Sequence, residues 1–293
     1  MARCARAGGS QPEPALSIVI PAYNAGKYLA EQLDALITQS PPFEFEIIVA
    51  DNRSTDDTAA IAASYATCDR RIRLVDARSR QGTNVARNRG CRAARAKRIA
   101  LADADDRACD GWIEAIHSAL DDFDCVAGTL EPFGGSGSYR PTGGLRTGHG
   151  FLPAPTGASC GFRREVFEHL DGFDEAYSAG GDEVEFFWRA QLTGYSIGIA
   201  PDARMAYRLR GTKGDQWRQT LGYARARVRL FADFRQSGMP RSSVSGAVKA
   251  WLWLLVHVPR ALRDTDHGER WRRVCAQRVG RIQGSIQHRV LYL

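Results

Sequence analysis

The stretch Arg98-Ile-Ala-Leu-Ala-Asp-Ala-Asp-Asp106 decides the reading of this chain, because a short apolar run ends abruptly in three carboxylates. Ile99 to Ala102 have the composition of a buried strand. Asp103, Asp105 and Asp106 then stand at its C-terminal end, the edge at which open α/β sheets bind ligands. Asp-x-Asp on an extended segment directs both side chains to one side. Two such oxygen donors hold one hard divalent cation, Mg²⁺ or Mn²⁺, and leave positions for water and a ligand's phosphates. The competing reading is an acidic, solvated loop, and the surrounding chain decides between them.

Upstream, Leu16 to Ile20, Phe45 to Ala50 and Ile72 to Val75 are further apolar runs. Each is followed by a helical pattern: Lys27 to Gln39 with Leu29, Leu33, Leu36 and Ile37 on one face, Thr55 to about Ala66, and Asn84 to Ala96. Ser54 with Asp57 three residues on predicts a capping box at the second helix. The strand starts near 16, 45, 72 and 98 lie 26 to 29 residues apart, the repeat of βαβ units. That repeat predicts a mainly parallel, Rossmann-like α/β sheet with flanking helices and right-handed crossovers. The loops at the strands' C-terminal ends then converge on one crevice, bringing Tyr23, Asp51, Arg87, Asp103 and Asp105 together.

Downstream, a helix with Trp112, Ile113, Ile116 and Leu120 precedes a strand, Asp124 to Leu130. Residues 134–155 read as a long loop, and His149 within it as a surface histidine rather than a ligand. A short helix spans Arg163 to Leu170. A second begins at Gly180-Gly-Asp-Glu-Val-Glu185, with Asp182 as N-cap and Glu185 completing a capping box. Tyr195 to Ala200 is expected to be the strand that closes the domain.

Composition bounds the rest. The chain has 293 residues, 44% hydrophobic and 25% charged, as in ordinary globular proteins, and its longest apolar candidate, Trp251 to Val258, is too short to span a bilayer. Seven scattered cysteines without a Cys-x-x-Cys pair exclude a zinc or disulfide framework and fit a reducing compartment. The expected location is the cytoplasm. The net charge of +7 is unevenly divided, with 19 Lys+Arg against 5 Asp+Glu beyond Ala203. Tryptophan and arginine on those C-terminal helices admit two readings: a surface peripheral to an anionic membrane at its inner face, or an extension packed on the main domain. The expected division is a disordered 1–15, a catalytic domain 16–203 with halves 16–125 and 126–203, and a basic helical extension 204–293.

Five stretches in one order resemble a known family: Ser17-Ile-Val-Ile-Pro-Ala-Tyr-Asn24; Ile47-Ile-Val-Ala-Asp-Asn-Arg-Ser-Thr-Asp56; Gly82-Thr-Asn-Val-Ala-Arg-Asn-Arg-Gly90; Asp103-Ala-Asp-Asp106; and Gly172-Phe-Asp-Glu175 followed by Gly181-Asp-Glu-Val-Glu185 and Trp188-Arg189. Over roughly Leu16 to Ala203 the chain resembles the family-2 glycosyltransferases of the GT-A fold. The basic C-terminal part is similar to the tail of some actinobacterial members. The resemblance implies transfer of a sugar from a nucleotide-diphosphate donor to an acceptor hydroxyl, with inversion and with a divalent metal as cofactor.

By position, it implies that Pro21, Ala22, Tyr23, Asn24, Asp51 and Asn52 hold base and ribose, and that Gly82 and Arg87 lie near the diphosphate. Asp103, Ala104 and Asp105 then serve ribose and metal, with Asp103 and Asp105 as metal ligands. The acceptor site falls between Gly157 and Glu185, with Gly157, Asp182 and Trp188 in contact. Its acceptor is a saccharide, a lipid-linked or another hydroxyl compound. The family's base comes from a Glu-Asp pair; here the order is reversed, so Asp182 and Glu183 both stand as candidates. Arg53 replaces the family's common glycine, and either narrows the nucleotide pocket or meets a phosphate.

Two other classes compete with this reading. A sugar-nucleotide pyrophosphorylase wants a glycine-rich basic loop after the first strand, which Pro21-Ala-Tyr-Asn24 is not. A non-enzymatic membrane- or nucleic-acid-binding protein draws only on the tail and leaves the carboxylates unexplained; no nucleic-acid partner is expected.

Overall fold

The computed structural model describes residues 13–133, 142–147, 150–177, 180–209 and 213–293. The remaining residues, among them His149 and most of the expected disordered N-terminus, lie outside the described part. A first compact unit takes in the chain to Arg146, Pro153–Ser178 and Asp182–Leu209. Its first half runs β1 (Leu16–Ala22), α1 (Leu29–Ile37), β2 (Phe45–Asp51), α2 (Thr58–Cys68), β3 (Ile72–Asp76), α3 (Thr83–Ala93) and β4 (Arg98–Ala102). The second half adds β5 (Arg107–Ala108), α4 (Trp112–Asp122), β6 (Cys125–Phe133), β7 (Thr142–Gly143), β8 (Ser159–Arg163), α5 (Arg164–His169), α6 (Asp182–Leu192) and β9 (Ile197–Arg208).

One sheet runs in the order β3-β2-β1-β4-β8-β6-β9-β5, with β7 on β6. β1 to β4 are parallel as the repeat predicted, Leu16 pairing with Phe45 on one side and Arg98 on the other. Ile18, Val19 and Ile20 are fully buried, which is why their run is continuous rather than alternating. The second half is mixed. β8 is antiparallel to both β4 and β6, while β9 runs parallel to β6 and antiparallel to β5. The sheet therefore has a parallel half and a mixed half.

Four local expectations change. Ser159–Arg163 is a strand where the sequence showed only order leading into a helix. Its Gly161 sits where a Cβ would approach Ile116 Cγ2 to 2.8 Å and Ile99 O to 3.3 Å. β5 was likewise not anticipated. The closing strand runs on to Arg208, so the expected boundary at residue 203 falls inside β9, whose pairing with β6 continues to Phe133 and Arg208. The predicted Ser54–Asp57 capping box is not formed. Instead Asp56 Oδ1 accepts from Thr58 N at 3.1 Å, while Ser54 Oγ accepts from Asn24 N at 3.0 Å.

A second unit takes in Thr147–Leu152, Ala179–Gly181 and Arg210–Leu293. It contains α7 (Lys213–Phe234), α8 (Val244–Val256), α9 (Val258–Ala261) and α10 (Thr265–His288). α7 and α10 pack closely because α10 presents Ala276, Gly280 and Gly284 four residues apart. A Cβ on Gly280 would stand 2.6 Å from Leu221 O, and one on Gly284 2.9 Å from Val228 Cβ. Beyond Arg289, at φ +52°, the chain turns back. Tyr292 is then buried against Phe231, its hydroxyl accepting from Arg227 Nε at 2.9 Å. None of the described helices is long and apolar enough to cross a membrane.

Candidate active site

The Asp103–Asp106 segment leaves β4 as a turn. Ligand oxygens of Asp103, Asp105 and Asp106 lie within 4.8 Å of one another. The sequence predicted convergence of the first two, and the turn brings in the third. Asp106 is almost wholly buried: Oδ1 accepts from Arg208 N at 2.7 Å, while Oδ2 has no hydrogen-bond partner among the described residues. Burial, followed by the neighbouring charge of Asp103, raises its pKa well above the carboxylate range.

Two side chains from distant elements hold this turn. Arg208 Nε donates to Asp105 O at 2.9 Å and its Nη2 to Glu31 Oε2 at 2.5 Å. Its guanidinium lies 4.3 Å from the Tyr28 ring centroid and 4.6 Å from that of Phe133. Gln32, buried in the apolar face of α1, donates to Asp103 O at 3.0 Å and accepts from Ala108 N at 2.9 Å. Neither residue was anticipated. Gln32 was findable as a polar residue inside the stripe of Leu29, Leu33 and Leu36, whereas nothing local marks Arg208.

The donor set fits a divalent cation. All three groups are hard oxygen donors, and an orphaned buried carboxylate oxygen costs free energy unless a cation or a proton meets it.

At the ends of β1 and β2, Asn24 adopts φ +48° and its Oδ1 accepts from Thr55 N at 2.8 Å. Pro21 and Ala22 end β1, and Tyr23 is half exposed beyond them. Asp51 is buried, with Oδ2 at 3.5 Å from Arg78 Nε. The side chain of Asn52 is spent on the loop after β3: Nδ2 donates to Ala77 O at 2.5 Å and Arg80 O at 2.8 Å, and Oδ1 accepts from Gly82 N at 2.7 Å. Arg53 sits at φ +65°, a conformation that favours glycine and accounts for the family's usual residue. Its guanidinium turns to Arg78 O at 2.8 Å and Ser79 O at 3.2 Å and braces the same loop. An open cleft of about 500 Å³ lined by Asp76, Arg78, Ser79, Val85, Arg89, Arg92 and Glu175 includes none of the residues expected at the donor site.

α6 opens on the candidate base pair. Arg87, buried on α3, forms an ion pair from Nη1 to Asp182 Oδ2 and also donates to Asn84 Oδ1 at 3.1 Å. A Cβ on Gly157 would stand 2.2 Å from Arg87 Nη2, so only glycine lets the guanidinium lie there. Burial lowers the pKa of Arg87, but the carboxylates of Asp182, Glu183 and Asp103 outweigh it and raise it. The charges of these three acids therefore all act on one guanidinium.

The expected capping box at α6 is absent, because Asp182 is engaged by Arg87 and Glu185 by Arg189 four residues on. Arg189 also donates to Leu170 O at 2.8 Å and Gly172 O at 2.7 Å, pinning the Gly172-Phe-Asp segment to the helix. Burial, then the adjacent Asp182, raises the pKa of Glu183 above the carboxylate range, against the opposing effect of Arg87. The Trp188 side chain is fully buried, so its indole presents no surface to an acceptor. Ala104 is buried at the turn and Gly82 precedes α3.

Several known proteins are similar to this chain. AglE of Haloferax volcanii, named a glycosyltransferase, is 28% identical over 199 residues, covering 64% of this chain and 65% of AglE. The glycosyltransferase GlyG of Streptococcus pneumoniae serotype 4 is 31% identical over 109 residues, 37% of this chain and 36% of GlyG. The chain thus aligns with less than two thirds of each of these relatives. Among solved structures, a mannosyltransferase of Pyrobaculum calidifontis in complex with GDP-Man and Mn²⁺ superposes with a TM-score of 0.65 at 18% identity, covering 94% of this chain and 87% of the other. S. aureus TarS 1–349 with UDP gives 0.56 at 19%, covering 95% and 93%. At such identities the likeness is one of fold, and that fold is GT-A. The family described as Glycosyl transferase family 2 matches residues 17–171, more than half of the 293-residue chain, and the protein belongs to that family.

Proposed function

We propose that this protein is an inverting glycosyltransferase that moves a sugar from a nucleotide-diphosphate donor to an acceptor hydroxyl, with Glu183 as general base. The carrying observation is the gathering of the Asp103, Asp105 and Asp106 ligand oxygens within 4.8 Å of one another at the end of β4, together with the Asp182–Glu183 pair opening α6, whose Asp182 is paired with Arg87. Solved relatives of the same fold carry GDP-Man with Mn²⁺ and UDP, which supports a nucleotide-sugar donor.

Pro21 to Asn24 and Asp51 flank the base and ribose. Asn52, Gly82 and Arg53 act on that pocket by fixing the 77–82 loop. Asp103, Asp105 and Asp106 would hold Mn²⁺ or Mg²⁺, which when bound supplies positive charge for the leaving diphosphate. Arg87 neutralises Asp182, so the pair does not act as two equal bases. Glu183, with its raised pKa, takes the proton from the acceptor hydroxyl. The acceptor oxygen forms its bond to the anomeric carbon from the face opposite the leaving diphosphate, the bond to the diphosphate breaks, and the configuration inverts. A base whose pKa approaches the working pH is the more effective one, which favours Glu183, while Asp182 is already paired with Arg87.

The acceptor side is shaped by Gly157, Asp182 and α6, with Trp188 acting as core beneath that helix. The cytoplasmic location rests on the sequence, seven scattered cysteines without a Cys-x-x-Cys pair. The test is proton NMR of donor hydrolysis, with water standing in for the acceptor: the sugar first released has the opposite anomeric configuration to the donor. Release with the donor's configuration contradicts the mechanism.

A further inference from the structure

α8 turns its apolar side outward. Val244, Val248, Trp251, Leu252, Leu255 and Val256 fall at helical spacing on one face, and all are exposed, Leu255 by 69% and Val256 by 72%. The opposite side is already occupied. Ala247 and Leu254 are buried, Trp271 Nε1 donates to Leu254 O at 2.9 Å, and Trp253 stacks on His257 at 4.6 Å between ring centroids. The helix is thus fixed by its inner face, and the outer apolar face is left over. Leu262, 82% exposed, extends it past α9.

Charge identifies the occupant. Lys249 on α8, Arg241 three residues before that helix, and Arg260 and Arg263 a few residues after it are all exposed. They belong to a segment, 204–293, with 19 Lys+Arg against 5 Asp+Glu. Such a surface repels a second copy of itself and attracts an anionic one. Thirteen residues of helix reach about 20 Å, short of the roughly 30 Å hydrocarbon core, so α8 cannot span a bilayer but is long enough to lie in its interface. We propose that α8 docks the protein on anionic phospholipid, with Trp251, Leu252 and Leu255 entering the acyl boundary and the four basic side chains meeting the headgroups.

The test uses the full chain and vesicles of phosphatidylcholine with or without phosphatidylglycerol. Wild type is expected to co-sediment with the anionic vesicles and much less with the neutral ones. Leu252→Glu with Leu255→Glu is expected to weaken that partition by about tenfold or more, since fully burying one leucine side chain is worth roughly tenfold or more and two partly buried ones approach the same effect. Lys249→Glu with Arg260→Glu and Arg263→Glu is expected to weaken it and to flatten its salt dependence. All five residues are exposed, so melting temperature and any donor-induced shift should match wild type, which separates this test from that of sugar transfer. Unchanged vesicle binding in the leucine variant overturns the proposal. So does a wild-type dimer in sedimentation equilibrium that the leucine variant dissolves, because the face then belongs to a second copy.

Discussion

At the head of α6, Asp182 is tied to the Arg87 guanidinium, and Glu183 beside it keeps a carboxyl whose pKa burial has raised. The two substitutions should therefore fail differently. Glu183→Gln removes the proposed base and keeps the packing, so turnover should fall by about 10² to 10⁴ while the melting temperature and donor binding hold. Asp182→Asn leaves a buried guanidinium without its counter-charge, which should cost about 3 kcal/mol of stability, read by chemical denaturation. If Asp182→Asn is inactive yet as stable as wild type, the roles are exchanged.

Asp106 and Glu183 also set a pH dependence. Both have folded-state pKa values raised above their unfolded ones. The stability they contribute is complete below the ordinary carboxylate values of 3.8 and 4.5 and is lost as pH rises towards the raised values. In a chelator, the melting temperature should fall across neutral pH. Mn²⁺ should restore it most at the alkaline end, since metal ligands bind deprotonated. A melting temperature that rises with pH in chelator would refute this assignment.

Among elements, those written in contiguous residues were legible. β1 to β4 are apolar runs ended by polar turns, and their 26 to 29 residue repeat specifies the parallel half. β8 was not, because Ser-Cys-Gly-Phe-Arg carries no alternation or β-branched run and becomes a strand only between β4 and β6. The clamp on the Asp turn was invisible for a similar reason: Arg208 reaches Asp106 across 102 positions of sequence. The candidate site's acids were legible as types, but their partners were not. Pairing to Arg87 and Arg189, rather than capping, is a tertiary outcome.

Arg208→Ala tests the clamp. Losing its bonds to Asp105 O and Glu31 should cost about 1 to 3 kcal/mol and weaken Mn²⁺ binding, measured by denaturation and by titration calorimetry. Equal Mn²⁺ affinity would make the clamp structural only. Gly157→Ala should cost about 1 to 3 kcal/mol by pressing on the Arg87 guanidinium.

At the scale of the whole molecule, the first unit carries the acids and the second carries the basic charge. The acids gather at a sheet edge where a cation and a diphosphate would neutralise one another, while the basic helices carry an apolar face suited to an anionic lipid surface. The account's central claim concerns the first unit. Its most direct measurement is the melting temperature of the purified protein and of Asp105→Ala, with GDP- and UDP-sugars, in Mn²⁺ and in chelator. Specific binding raises the melting temperature by mass action. The account predicts a rise with one nucleotide class that requires Mn²⁺ and disappears in Asp105→Ala; an equal rise in the variant, or in chelator, contradicts it.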